Sequence, residues 1–310
     1  MKNLPWAVVL AGGSGSRLRP LTRLIVGDDR PKQFCPVFGA TTLLSQTRIR
    51  LQPLASPERT LFVVVKAHEA FYQSDLADVD AAQMIVQPSD KGTTAAIAYA
   101  LSHVARMDSD GVVGFFPTDH HYANTGRFHR AVKLAYKVAA RQDSIVLLGA
   151  SPHRDDSEYG WIQPGARFPR GLAPLYQVHR FWEKPSPDVA EALFANGCVW
   201  NTFVMIGRVK TFLEAMTDAV PEVWGVFSRI NRTAADLPDV ALVEGLYREL
   251  RSEDFSRRVL STCAHRLAVL LLGDAGWSDL GTPKRILAAL ARTGAAPAWY
   301  RHAAFRQSLV

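Results

Sequence analysis

The stretch that decides the fold is WAVVLAGGSGSRL, residues 6–18, an apolar run that stops abruptly at closely spaced glycines. Its valine-rich first half is typical of a strand buried in a parallel sheet. Gly12, Gly13 and Gly15 carry no Cβ, so the backbone N–H groups of this loop can approach phosphate oxygens closely. Arg17 follows at once and can pair with phosphate through two N–H groups. The segment predicts a phosphate-binding loop at the carboxyl end of a first strand, with a plain glycine turn as the alternative.

Two common phosphate-binding motifs do not match this loop. A Walker A loop requires a lysine after its last glycine, and no lysine follows here. The dinucleotide fingerprint GxGxxG requires a third glycine where Leu18 stands, which argues against a nicotinamide-dependent enzyme. A second cation, Lys32, follows Pro31 in the segment RPKQF and could approach the same phosphates from the other side.

Short apolar runs and helical patterns alternate after the loop, which predicts βαβ units, a mostly parallel mixed sheet flanked by helices, and an α/β fold. The predicted strands are Trp6–Ala11, Leu61–Lys66, Met84–Val86, Val112–Phe116, Ile145–Gly149, Tyr176–Glu183, Val199–Gly207 and Leu267–Leu272. The predicted helices are Thr93–Met107, Phe128–Arg141, Lys210–Ala219, Val240–Arg251 and Pro283–Arg292. Turn-forming residues are dense from Ser151 to Gly171, so we expect the regular alternation of strands and helices to change near residue 150.

The composition of the chain limits the classes of partner that we expect it to bind. The excess of 36 Lys+Arg over 29 Asp+Glu, a net charge of +7, suits a phosphorylated small molecule. Basic runs are short and lack interleaved aromatics, so we expect no nucleic-acid partner. Cys35, Cys198 and Cys263 form no CxxC pair, which argues against a disulfide framework and a structural zinc site. No apolar run reaches the length of a membrane span, so we expect a cytoplasmic protein without a membrane partner. The sequence leaves a homodimer open.

Further segments follow the glycine loop in a recognisable order. They are Gln87-Pro88 with Lys91-Gly92-Thr93-Thr94-Ala95, Phe116-Pro117-Thr118-Asp119-His120, Glu158-Tyr159-Gly160-Trp161-Ile162, Phe181-Trp182-Glu183-Lys184-Pro185, Trp200-Asn201-Thr202 and Trp277-Ser278-Asp279-Leu280-Gly281-Thr282. With the loop and RPKQF, this ordered set resembles the signatures of the sugar-1-phosphate nucleotidyltransferases, and within them is most similar to the mannose-1-phosphate guanylyltransferases.

The resemblance implies a Rossmann-like nucleotidyltransferase domain over residues 1–292. It implies a nucleotide-binding part over about 1–150, a sugar-binding part over about 151–292, and a short tail over 293–310. It also implies Mg²⁺ as cofactor. The implied substrates are an NTP, with GTP favoured, and a sugar-1-phosphate, with mannose-1-phosphate favoured. A magnesium ion held by few carboxylates plus phosphate oxygens suits such chemistry.

The resemblance also assigns roles to individual residues. The catalytic set is Arg17, Lys32, Asp119, Lys184 and Asp279. The nucleotide-binding set is Ala11, Gly12, Gly13, Ser14, Gly15, Ser16, Arg17, Lys32, Gln87, Gly92 and Asp119. The sugar-binding set is Gly160, Glu183, Lys184 and Asn201. The metal ligands are Asp119 and Asp279.

Departures from the guanylyltransferase pattern keep the base and the sugar open. The base-reading segment of such enzymes often reads ExxGRNTAP, whereas this chain has Lys91, Gly92 and Ala96, and Arg19 stands where the family has tryptophan. Two alternatives therefore remain. One is the same chemistry with another base or sugar, such as UTP or dTTP with glucose-1-phosphate. The other is a homologue that binds a nucleotide-sugar without catalysis.

Overall fold

A computed structural model describes residues 4–168, 174–233 and 240–301; the side chains of 230–233 and 301 are not described. Its strands are β1 Trp6–Leu10, β2 Thr60–Val65, β3 Met84–Gln87, β4 Val112–Pro117, β5 His121–Tyr122, β6 Ile145–Ala150, β7 Gly160–Arg167, β8 Leu175–Glu183, β9 Val199–Arg208, β10 Leu267–Gly273 and β11 Trp277–Ser278. Its α-helices are α1 Arg19–Val26, α2 Leu43–Leu51, α3 Glu69–Tyr72, α4 Gly92–Met107, α5 Thr125–Ala139, α6 Pro187–Ala195, α7 Val209–Ala219, α8 Pro221–Thr233, α9 Val240–Glu249 and α10 Pro283–Thr293. Within those ranges no helix is both long and apolar enough to cross a membrane.

Nine of these strands form one mixed sheet in the order β3-β2-β1-β4-β9-β6-β10-β8-β7, and β5 pairs with β11 in a small second sheet. Strand β1 is parallel to β2 and β4, and β10 is parallel to β6. The pairings of β8 and β9 are antiparallel, so these two strands oppose the other seven in the large sheet. A further pairing of β7 with β9 closes β9, β6, β10, β8 and β7 into a ring. The predicted mixed sheet is confirmed, with seven of its nine strands running in one direction.

Helices cover both faces of the sheet, as expected for an α/β fold. Residues of α4, α7, α8 and α9 share one buried cluster with the sheet. On the opposite face, residues of α2, α5 and α6 form a second cluster. Strand β1 contributes to both, because Val8 points into the first cluster while Ala7 and Val9 point into the second. Burial of both faces explains why the strand reads as a continuous apolar run.

Strand β7 lies within the region for which the sequence predicts turns. The strand contains Gln163-Pro164-Gly165, and its register with β8 shifts on either side of Pro164. Only Trp161 and Ile162 pair with β9, so the following part of β7 lies at an edge, where proline's missing N–H is tolerated. Strand β7 therefore contains residues that normally indicate turns, which is why the sequence does not predict a strand there. Residues 169–171 of the predicted turn region lie outside the described residues.

Part of the predicted tail is packed. The indole of Trp299 is buried in a third cluster with residues of α10 and of the segment after the glycine loop. Its Nε1 donates to the carbonyl of Val37 at 3.1 Å. Residues 302–310 of the tail lie outside the described residues, and the division of the domain near residue 150 stays a prediction.

Candidate active site

A cavity of about 620 Å³ opens at one edge of the large sheet, where β1, β3, β4 and β8 end and β7 and β9 begin. Most of the residues predicted from the sequence line it. They are Gly12, Gly13, Ser14, Arg17, Lys32, Gln87, Gly92, Asp119, Gly160, Glu183, Lys184, Asn201 and Asp279. Ala11, Gly15 and Ser16 do not line the cavity: Ala11 is buried beneath it, and Gly15 and Ser16 lie where the loop turns into a short 3-10 helix.

The glycine loop is held in shape by a side chain that the sequence analysis did not single out. The amide of Gln33 donates to the carbonyls of Ala11 at 3.1 Å and of Gly13 at 2.7 Å. The N–H groups of Gly13 and Ser14 donate to no acceptor in the described part of the chain. A loop whose carbonyls are fixed and whose N–H groups line a cavity can receive the oxygens of an anionic ligand.

Glycine at position 12 leaves room for the side chains of Gln87 and Val65. A Cβ there would lie 2.8 Å from Nε2 of Gln87 and 3.3 Å from a methyl of Val65. The loop therefore packs directly against the end of β3, which brings the predicted phosphate-binding and base-reading residues together. Gly15 is in the left-handed conformation with φ +57°, which explains the third glycine of the motif.

The two predicted phosphate-binding cations have different surroundings. Arg17 is exposed and pairs with Glu158 at 2.9 Å, a surface contact that a phosphate could readily replace. Lys32 is buried, and its Nζ donates to the carbonyls of Asp279 at 2.7 Å and Leu280 at 3.2 Å while facing the Asp119 carboxylate at 3.2 Å. All three ammonium protons of Lys32 therefore have protein partners.

Asp119 lies two residues beyond the end of β4 and lines the cavity. Thr118 fixes the strand end by donating from its hydroxyl to the carbonyl of Leu10 at 2.8 Å. Burial alone would raise the pKa of Asp119, but the Lys32 ammonium and His120 outweigh it, so this pKa lies below the usual value and the group is ionised. The carboxylate is 35% exposed and keeps lone pairs open to the cavity, which fits a magnesium ion that takes most of its ligands from phosphates and water.

Asp279 is held more tightly than Asp119. One of its oxygens accepts from the Tyr159 hydroxyl at 3.0 Å and from the N–H of Gly281 at 3.1 Å. The other accepts from Arg285 at 2.8 Å. A carboxylate offers about four lone-pair positions, so one remains for a metal ion. Among the described residues, no group of three or more His, Cys, Asp and Glu side chains is arranged around a common point, so a metal would depend on these two carboxylates and the substrates.

The sequence analysis missed the role of Arg285 at this end of the cavity. Its side chain is 7% exposed, and its second amino group donates to Asp156 at 2.7 Å. Its guanidinium also lies 4.1 Å from the centre of the Tyr159 ring. Arg285 thus ties α10 to two carboxylates and an aromatic ring. Its place in the helix gave no signal, because an arginine in the first turn of a helix is usually solvated.

The predicted base-reading residues lie at the far end of the cavity. Gln87 is buried, and its Oε1 accepts from the hydroxyl of Tyr247 on α9 at 3.2 Å, which leaves its NH₂ group beside Gly12. Gly92 has φ +79°, and a Cβ there would collide with the backbone of Glu253. The N–H of Glu253 donates to the carbonyl of Lys91 just before α4, and its carbonyl accepts from the N–H of Thr94 in the first turn of α4.

That segment is a second feature that the sequence analysis missed. Ser252, Glu253, Asp254 and Ser256 line the cavity, although they are distant in sequence from the other predicted site residues. They form one wall from the base-reading end to Glu183. Their sequence signal was weak, since a short polar stretch after a helix usually forms a solvated loop.

The predicted sugar-binding residues converge at the start of β7. A Cβ at Gly160 would lie 2.8 Å from the Glu183 carboxylate and 3.2 Å from Cβ of Asn201, so glycine allows these side chains to meet. Burial raises the pKa of Glu183 to about 7, and the negative charge of Asp254 adds to this effect while Lys184 opposes it. Near neutral pH Glu183 can therefore donate or accept a hydrogen bond.

We expect Glu183→Gln to change how stability depends on pH. The raised pKa means that the folded protein holds this proton more tightly than the unfolded chain, so wild-type stability falls as pH rises from 4.5 to about 7. The glutamine variant lacks this loss. Its melting temperature, measured relative to wild type by thermal denaturation, should rise between about pH 5 and about pH 8. Glu191→Gln, at an exposed position on α6, serves as control. A constant difference for Glu183→Gln at both pH values would contradict the raised pKa.

Comparison with known proteins gives consistent matches. The family model described as nucleotidyl transferase matches residues 6–295. A mannose-1-phosphate guanylyltransferase of Klebsiella pneumoniae is 29% identical over 279 residues, covering 89% of this chain and 58% of that protein. The xanthan biosynthesis protein XanB of Xanthomonas campestris is 30% identical over 290 residues, covering 90% of this chain and 58% of that protein. The chain thus spans less than two thirds of the length of these relatives.

A solved structure is similar over most of both chains. A Thermus thermophilus protein described as mannose-1-phosphate geranyltransferase matches with a TM-score of 0.80 and 29% identity, covering 94% of this chain and 79% of that one.

Proposed function

The chain belongs to the nucleotidyl transferase family, and from this premise we propose that it transfers a nucleotidyl group from an NTP to a sugar-1-phosphate, releasing pyrophosphate. We propose GTP and mannose-1-phosphate as the substrates, because the guanylyltransferases among its relatives are named for that pair. The observation that carries the proposal is one cavity lined both by the glycine loop and Gln87 and by Glu183 and Asn201. Asp119 lies beside Lys32 in the same cavity.

In the proposed reaction an oxygen of the sugar phosphate attacks the α-phosphorus of the NTP. A new P–O bond forms, the bond to the β-phosphate oxygen breaks, and pyrophosphate leaves. A phosphate monoester is already nucleophilic at neutral pH, so the site needs no general base and acts chiefly by positioning and charge stabilisation.

Different residues of the chain contribute to this positioning and charge stabilisation. The N–H groups of Gly13 and Ser14 and the guanidinium of Arg17 receive the triphosphate, and release of Arg17 from Glu158 accompanies this contact. Lys184 faces the phosphate of the sugar. Asp119 and Asp279 would hold magnesium, which when bound neutralises charge on the reacting phosphates.

A pyrimidine nucleotide is the second candidate, supported by the environment of Gln87. Because Tyr247 occupies the amide oxygen, Gln87 presents a donor to the cavity. A donor suits the O4 carbonyl of uracil or thymine and the O6 carbonyl of guanine equally. Guanine presents two donors beside that carbonyl, N1–H and N2–H₂, whereas uracil and thymine present one, N3–H, and the amide oxygen of Gln87 has one lone pair left after it accepts from Tyr247.

A panel assay tests both candidates. Pyrophosphate release is measured with magnesium for GTP, UTP, dTTP, CTP and ATP, each with mannose-1-phosphate and with glucose-1-phosphate. We expect one preferred pair, with GTP and mannose-1-phosphate first. Preference for UTP or dTTP would favour the second candidate. Absence of turnover from folded protein on every pair, with retained binding of a nucleotide-sugar, would replace the proposal with a non-catalytic binding protein.

A further inference from the structure

We propose that Phe203 determines the sugar specificity of this site, its ring forming the apolar wall against which the hexose of the sugar-1-phosphate packs. The inference rests on the proposed function and adds a specificity-determining residue to it. Three observations on the same residue carry it: a strained backbone, a bulge that fixes that backbone, and a position on the cavity wall.

The backbone of Phe203 has φ +57°, in the left-handed region. In the described part of the chain, only Lys184 and Leu280 among the other non-glycine residues share a positive φ. A bulky aromatic residue in this region is unusual, because its Cβ crowds the neighbouring carbonyl and no short polar side chain compensates. Such strain persists where the surrounding structure imposes it, and it concentrates at functional sites.

A bulge in β9 imposes this conformation. Asn201 pairs with Gly149 and Met205 with Leu147, so β9 uses four residue steps where β6 uses two. The Oδ1 of Asn201 accepts from the N–H of Phe203 at 3.0 Å. The hydroxyl of Thr202 donates to the carbonyl of Leu148 at 2.8 Å. Bulges of this kind redirect a side chain next to a functional site.

The redirected side chain reaches the cavity. Phe203 lines it together with Asn201, Glu183 and Lys184, and is half-buried where it packs against the core on the α4 side of the sheet. These cavity neighbours are polar or charged, as are Asp254 and Ser256, which line the same cavity. A hexose presents hydroxyls around its edge and C–H groups on its faces. Polar side chains can bind the edge, and an aromatic ring matches a face.

This division of contacts also gives a basis for selectivity. A hexose epimer that directs a hydroxyl toward the ring would bury that hydroxyl without a hydrogen-bond partner, which costs binding free energy. An epimer that directs only C–H groups toward the ring would bind without that cost. Phe203 therefore selects hexose-1-phosphates by the orientation of the hydroxyls on one face.

The competing explanation is that Phe203 only fills the core. A glycine variant at this position distinguishes the two explanations. Phe203→Gly removes the ring but relieves the positive φ, so we expect the melting temperature to change by only a few degrees. KM for the preferred sugar-1-phosphate should rise roughly tenfold, while KM for the NTP stays within about twofold. The ratio of kcat/KM between mannose-1-phosphate and glucose-1-phosphate should move toward one.

Phe203→Leu keeps an apolar side chain and the strain, and it carries the test if the glycine variant does not fold. It should show a smaller rise in KM for the sugar and the same loss of selectivity. Unchanged sugar KM and unchanged selectivity in the variants, with an active wild type, would overturn the role of Phe203 alone. A wild type without turnover on any pair of the panel would instead overturn the proposed function, and this inference with it.

Discussion

We expect Asp119→Asn to lower kcat of the proposed reaction about a thousandfold with magnesium present, because a metal-organised charge contact with reacting phosphates contributes several kcal/mol to the transition state. The substitution keeps the shape of the side chain but removes the charge that faces the cavity beside Lys32. The amide oxygen can still accept from Lys32, so the fold is retained and the melting temperature falls by a few degrees only. The measurement is steady-state pyrophosphate release at saturating substrates, compared with wild type.

Two further measurements identify the cause of the loss. Nucleotide binding measured by calorimetry should depend on magnesium in the wild type and lose most of that dependence in Asp119→Asn. Asp143→Asn makes the same chemical change at a side chain that is 86% exposed and pairs only loosely with Arg208 at 3.6 Å, and it should behave as wild type. Near-normal kcat in Asp119→Asn would remove this carboxylate from the reaction.

The local sequence was sufficient wherever one segment carried its own signal. The run at residues 6–10 forms a strand because every side chain on it is apolar, and it ends where the glycines begin. The motifs then predicted Asp119, Glu183 and Asn201, which now line one cavity. Parallel strands bring their carboxyl ends to the same edge of a sheet, so motifs that follow strands meet even when they are far apart in sequence.

The features that the sequence did not reveal depend on contacts between distant segments. Arg285 interacts with Asp156 across 129 positions, and Tyr247 reaches Gln87 across 160. The bulge at Phe203 depends on how β9 pairs with β6, which no local pattern records. These contacts determine the orientation of side chains and the strain of the backbone, whereas the sequence motifs predicted only which residues lie near one another.

Lys32→Met should lower kcat by roughly two to three orders of magnitude and also reduce stability, because the Lys32 ammonium bonds to two backbone carbonyls and also lies beside Asp119 at the proposed phosphate site. Methionine keeps the apolar stem but leaves the carbonyls of Asp279 and Leu280 without their donor, at a cost of about 1–3 kcal/mol in the free energy of unfolding. Denaturant unfolding and steady-state kinetics measure the two effects. Lys66→Met, at a side chain that is 61% exposed, should change neither.

The double variant decides how Lys32 acts. Its ammonium already has three protein partners, so the geometry favours an action through Asp119 and the turn at Asp279 over a free contact with phosphate. If Lys32 works through Asp119, then Lys32→Met combined with Asp119→Asn loses no more kcat than Asp119→Asn alone. If Lys32 instead leaves its partners and binds phosphate independently, the two losses multiply, as they do for sites that do not interact. We expect the first result, because a lysine held by two carbonyls and a carboxylate must give up existing bonds before it can clamp a ligand.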